Sequence, residues 1–125
     1  GETCIEVVYS DPGYWGGVVW QHPPNDWGDL PGGYNLTGAK KLTFWARGKD
    51  GGEFVDFAVG ILGSDKPYPD TAKASKKGVK LKQEWKKYTI KLDGKDLTQI
   101  KSGFIWTLGG QGRRVTFYLD DIRFE

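Results

Sequence analysis

The sequence predicts an all-β fold, an antiparallel β-sandwich, on three observations. Apolar residues recur with a period of two in short runs rich in β-branched and aromatic side chains. Nineteen glycines and six prolines in 125 residues supply the tight turns that such runs need. Helical readings are confined to Thr71–Lys77 and Lys95–Ile100, each too short and too poor in apolar stripe to be more than a single turn. A chain of this length holds one core, so residues 1–125 read as one domain.

Eight segments read as strands: Cys4–Ser10, Trp15–Gln21, Lys41–Gly48, Glu53–Leu62, Gly78–Lys82, Lys86–Leu92, Gly103–Leu108 and Arg114–Glu125. Side chains alternate across a strand, which assigns faces. In the third, Leu42, Phe44 and Ala46 share the core face, and Thr43, Trp45 and Arg47 the other. A Trp beside an Arg on a polar face is costly to leave in water unless something covers it. In the fourth, Val55, Phe57, Val59 and Ile61 are apolar, opposite Phe54, Asp56, Ala58 and Gly60, whose small members let a ligand approach the sheet. The sixth splits into Tyr88, Ile90 and Leu92 against Lys87, Thr89 and Lys91, a half-solvated strand. In the last, Val115, Phe117 and Leu119 alternate on one side, whereas Ile122 and Phe124 have the opposite parity. A bulge near Asp120-Asp121 reconciles them, leaving these two as surface charges or one of them turned inward to a cation. The long connections Gln21–Lys40 and Gly63–Lys77 hold most of the prolines, and loops of that length are often functional.

Composition narrows the function. No run is long and apolar enough to span a bilayer, so no membrane role is expected. The 18 basic and 16 acidic residues nearly cancel, and the lysines are spread among acids, which gives nucleic-acid binding little support. Cys4 is a lone cysteine, and there is no Cys/His cluster for zinc. The lack of any methionine predicts a piece excised from a longer protein. His22 is the sole histidine, no triad can be named, and the aspartates show no pairing that marks a glycosidase, so catalysis is not expected. Gly109-Gly110-Gln111-Gly112 precedes a strand and reads as a hairpin turn, not a phosphate cradle.

What stands out is aromatic excess: six Trp, six Tyr and six Phe, far more than a small core requires. Aromatic faces interleaved with polar groups are the chemistry of sugar recognition, the indole stacking on a pyranose while Gln, Asp, Arg and His read hydroxyls. Covering half of an indole's roughly 200 Å² at about 25 cal/mol per Å² contributes on the order of 2.5 kcal/mol per platform.

Four stretches carry a resemblance: Gly13-Tyr14-Trp15-Gly16-Gly17-Val18-Val19-Trp20; Leu42-Thr43-Phe44-Trp45-Ala46-Arg47-Gly48 with Gly51-Gly52-Glu53; Glu84-Trp85-Lys86-Lys87-Tyr88-Thr89-Ile90; and Phe104-Ile105-Trp106 with Phe117-Tyr118-Leu119-Asp120-Asp121-Ile122. In order and spacing, over most of the chain, they resemble the galactose-binding-like jelly-roll carbohydrate-binding modules appended to bacterial glycoside hydrolases. The likeness is strongest to the family-eleven type that binds mixed-linkage β-glucans. The resemblance implies a non-catalytic module, secreted or at a bacterial cell surface, that targets an attached enzyme to a β-glucan-like polysaccharide.

The ligand set expected is Trp15, Trp20, Trp45 and Trp106 as platforms, with Gln21, His22, Arg47 and Asp56 as polar readers. Trp106 shares parity with Phe104 and Leu108 and reads equally as core. Trp27 and Tyr68 lie in loops that either border the site or merely pin it, and Trp85 is assigned by the resemblance to the start of a core strand. Such modules often bind a structural calcium, which the resemblance places at Asp120 with Glu6 or Glu2. They also carry a strand before the one at Cys4, which is not expected in a chain that begins at Gly1; either the fold is shorter or the edge beside Phe117–Glu125 is open, and a monomer or a strand-exchanged dimer is expected. The alternative from another class is a protein-interaction domain that uses this open edge or the aromatic patch.

Overall fold

A computed structural model of the chain describes residues 3–10 and 13–125. It contains eight strands: β1 (Ile5–Tyr9), β2 (Gly16–Gln21), β3 (Lys41–Gly48), β4 (Phe54–Val59), β5 (Ala74–Lys80), β6 (Lys86–Lys91), β7 (Ser102–Leu108) and β8 (Val115–Phe124). They form two antiparallel sheets, β1-β8-β3-β6 and β2-β7-β4-β5. Successive strands switch sheets except at the β4–β5 hairpin, which is the jelly-roll order and agrees with the predicted β-sandwich.

The alternation read from the sequence builds the core. Leu42, Phe44 and Ala46 are fully buried, as are Val55, Phe57 and Val59 across from them. Phe44 lies 4.5 Å from Phe57 and 5.3 Å from Phe104, a tilted aromatic cluster joining the sheets. Each such side chain contributes about 1.5–3 kcal/mol by leaving water. The expected bulge is present in β8: Trp45 faces Asp120 while Thr43 faces Arg123, and Asp121 takes the extra position with φ 48°. The extra residue returns Ile122 and Phe124 to the core side, where they pack against the buried cluster.

Four expectations are corrected. Thr71–Lys77 is not a helical turn, since β5 begins at Ala74. Val79 is buried against the core, and Asp56 Oδ1 accepts the Gly78 N–H at 2.6 Å, holding a bulge where Val55 faces Val79 but Phe57 faces Lys76. Ile61 is not core but 39% exposed, because Gly60 (φ 77°) donates its N–H to the Ser102 carbonyl and turns the chain out of the strand at Val59. The edge beside the last strand is not open along Val115–Leu119: β1 pairs there on one side, in the register Ile5–Leu119 to Tyr9–Val115, and β3 pairs on the other. The segment Lys95–Ile100 is a loop, tied down by a bridge between Ile100 and Tyr34.

Both long loops are clamped at the start of β7 by buried carboxylates. Asp26, 4% exposed, accepts the N–H groups of Gly28, Asp29 and Leu30 and pairs with the Lys101 ammonium, which also reaches the Leu30 carbonyl. Asp70, 8% exposed, accepts the N–H groups of Ile61, Leu62, Lys101 and Ser102, and the Ser102 hydroxyl at 2.5 Å. Every carboxylate oxygen is thus occupied, as burial demands.

Candidate functional site

The outer face of the β1-β8-β3-β6 sheet holds a basin of about 620 Å³ lined by Trp45, Arg47, Trp85, Tyr118, Asp120 and Asp121, with Thr3 and Cys4 at its end. Register explains how these residues meet. Trp45 stands opposite Asp120 on β8 and opposite Lys87 on β6, while Arg47 stands opposite Tyr118. Residues directly opposite on an antiparallel pair share a face and lie about 4.5–5.5 Å apart.

Two indoles on its lining remain partly open, at 38% for Trp45 and 39% for Trp85. Arg47 is held on both sides: its Nε–H donates to the Gln83 carbonyl at 2.8 Å, and its guanidinium lies 4.9 Å from the Tyr118 ring centroid, a cation–π stack. Burial first, then the charge and hydrogen bond of the Glu6 carboxylate opposite it, raises the Tyr118 hydroxyl above its ordinary value, so it keeps its proton. Asp121 lies 3.5 Å from the Arg123 guanidinium, and Asp120 accepts the Asp121 N–H at 2.9 Å. The basin thus combines aromatic faces, a fixed guanidinium, a protonated phenol and carboxylate acceptors. That set recognises a ring with an apolar face and a rim of hydroxyls.

No family model and no curated protein matches the chain. The fold is similar to that of the family 30 carbohydrate-binding module of the cellulosomal cellulase Cel9D-Cel44B of Clostridium thermocellum. The superposition has a TM-score of 0.64 at 15% identity and covers 95% of this chain and 72% of that one. The two chains share the architecture of an antiparallel β-sandwich.

The sequence-derived site residues do not converge. Trp45 and Arg47 line the basin, with Asp120 beside them. Trp106 is core and not a platform: it is 5% exposed and packs edge-on to Phe117 at 5.2 Å. Asp56 lies on the other sheet, its carboxylate engaged by Gly78. Trp20 and Gln21 lie in β2, an edge of that same sheet, with Trp15 just before it and His22 just after it. Trp20 leans on Phe104 at 5.1 Å on the core side, and Gln21 Nε2 donates to the Asp26 carbonyl. His22 Nδ1 accepts the Gly33 N–H, its ring 4.8 Å from Tyr34. Gln21 and His22 thus hold the loop in place. Trp15 is 76% exposed just before the strand, outside the basin.

Two basin residues escaped the sequence analysis. Trp85 was assigned to the core by resemblance, yet it has the parity of Lys87, Thr89 and Lys91, the solvated face. Tyr118 alternates out from Phe117 and Leu119 and was legible in the same way. Asp120 and Glu6 lie beside the basin, but no group of three or more His, Cys, Asp or Glu side chains suited to a metal ion forms among the described residues. Glu2 lies outside the described residues.

Proposed function

We infer that this chain is a non-catalytic polysaccharide-binding module whose ligand lies in the Trp45–Trp85–Tyr118 basin. The observation that carries the reading is the basin itself, two half-open indoles flanking an Arg47 fixed by a hydrogen bond and a ring stack. Stacking on the indoles supplies the affinity, and Arg47, Tyr118, Asp120 and Asp121 read hydroxyls. A β-linked glucan suits the site because its equatorial hydroxyls leave both ring faces apolar for stacking. In a secreted or cell-surface protein, such a module raises the effective concentration of an attached domain on the polymer through its tether.

Tryptophan fluorescence titrated with soluble mixed-linkage β-glucan, xyloglucan, xylan, mannan and laminarin tests this reading. A saturable change with one glycan class, lost in folded Trp45→Ala and Trp85→Ala variants, is the expected result. Silence across the panel, or binding unchanged in both variants, overturns it. No soluble sugar should appear when the chain is incubated with the polymer it binds.

A further inference from the structure

The charge balance hides an asymmetry that the fold makes visible. Residues 73–95 carry nine lysines against Glu84 and Asp93, a net +7, while the remainder of a chain of net +2 carries −5. These residues form β5 and β6, the edge strands at one side of the two sheets, which pack against each other. Lys76, Lys77, Lys80, Lys82, Lys86 and Lys87 are all exposed there. Of the nine, only Lys87 comes within ion-pair reach of a described carboxylate, Glu125 at 4.0 Å.

Edge strands often carry lysines simply to prevent sheet-to-sheet pairing. That need is equal at the other side, where β1 (IEVVY) and β2 (GGVVWQ) are also edges and contain no lysine. Protection alone does not account for the one-sided charge. The lysine edge also borders a groove. On the outer face of the second sheet, Ala58, Gly60 and Ser75 floor a depression of about 370 Å³ with Lys73 and Lys77 on its rim. This face lies across the sandwich from the aromatic basin.

We propose that the β5–β6 edge and this groove form a second contact surface, for an anionic polysaccharide bearing carboxylate groups. The small floor lets a sugar chain lie against the sheet, and unpaired ammonium groups along a strand meet carboxylates spaced along the polymer. The cations of residues 73–95 are all lysine, point charges without the bidentate fork that favours phosphate, and no aromatic ring lines the groove to stack a base. Carboxylated sugar therefore fits better than nucleic acid.

The test is affinity electrophoresis of the full chain through gels containing polygalacturonic acid, its fully methyl-esterified form, or double-stranded DNA, at low salt and at 0.5 M salt, where the Debye length falls to roughly 4 Å. Expected is retardation by the acid form alone, lost at high salt. A K76E/K77E/K80E variant should bind it at least tenfold more weakly, and a W45A/W85A variant should bind as the parent does. Circular dichroism verifies that both variants are folded. Binding unchanged in the lysine variant, no retardation by the acid, or tighter binding to DNA overturns the proposal. Neutral-glucan binding in the lysine variant reports separately on the aromatic basin, so the two readings fail independently.

Discussion

The ammonium of Lys101 pairs with the carboxylate of Asp26 in near-complete burial, each side chain 1% exposed. The pair fastens the loop after β2 to the start of β7, where Asp70 fastens the loop after β4. Lys101 holds Asp26 at about 2, below its ordinary 3.8, aided by the three loop N–H groups. A carboxyl depressed in the folded state contributes stability that is fully present above its unfolded value and is lost as pH falls through its folded value. Thermal midpoints should therefore fall between about pH 4 and pH 2, and the Asp26→Asn variant should lose this part of the acid dependence. An unaltered acid profile in Asp26→Asn would sink the assignment.

Either single substitution strands a buried charge: Lys101→Met leaves the Asp26 carboxylate without its cation, and Asp26→Asn leaves the Lys101 ammonium with a neutral amide and the Leu30 carbonyl, so each should destabilise by about 3–5 kcal/mol and the double variant by less than their sum. Chemical denaturation of the three variants measures the coupling.

Trp45 and Trp106 both lie on strands and invite the same reading from sequence, yet they should separate cleanly. Trp106→Ala empties a buried site against Phe117 and should cost about 3–5 kcal/mol of stability while leaving glycan affinity intact in the folded fraction. Trp45→Ala removes a half-open platform and should weaken binding more than tenfold, by the roughly 2.5 kcal/mol of one stacking face, with a smaller stability cost. Paired denaturation and titration curves decide the matter.

Period-two alternation was enough to read the sandwich and most of its core, because a strand half in water must write its inner face into every second residue. The parity switch between Leu119 and Ile122 even located the β8 bulge. Strand β5 was half missed because four of its seven residues, Ser75, Lys76, Lys77 and Gly78, carry no apolar signal; a hydrogen bond from Gly78 to Asp56 and pairing with β4 hold it instead. The site was harder for the same kind of reason. Which strands stand side by side is set by the jelly-roll crossing, so Trp45 was legible as an outward residue, but its meeting with Asp120 and Lys87 was not. Trp20, Gln21 and His22 look like ligand readers in sequence, while in the fold their partners are Phe104, Asp26 and Gly33.

Gly48, at the end of β3, has no room for a side chain: a Cβ built on it would fall 1.8 Å from Glu53 Oε1. Glu53 is itself buried, with Oε2 accepting the Asp50 N–H, so it has nowhere to retreat. Gly48→Ala should cost about 1–3 kcal/mol, as overpacking does, and Glu53→Ala should relieve much of that cost in the double variant. Additive losses in the double variant would contradict the clash.

Asp121 ties the bulge to the site. Its φ of 48° is left-handed, a conformation that Asn or Gly adopts at little cost and a β-branched residue at roughly 1–2 kcal/mol. Asp121→Asn should keep both stability and the placement of Asp120 opposite Trp45, because the extra residue still fits. Asp121→Val should destabilise by about that amount and also weaken glycan binding beyond the loss seen in Asp121→Asn, since straightening β8 shifts Asp120 relative to the Trp45 indole. Equal affinity in the two variants would show that the bulge serves only to return Ile122 and Phe124 to the core.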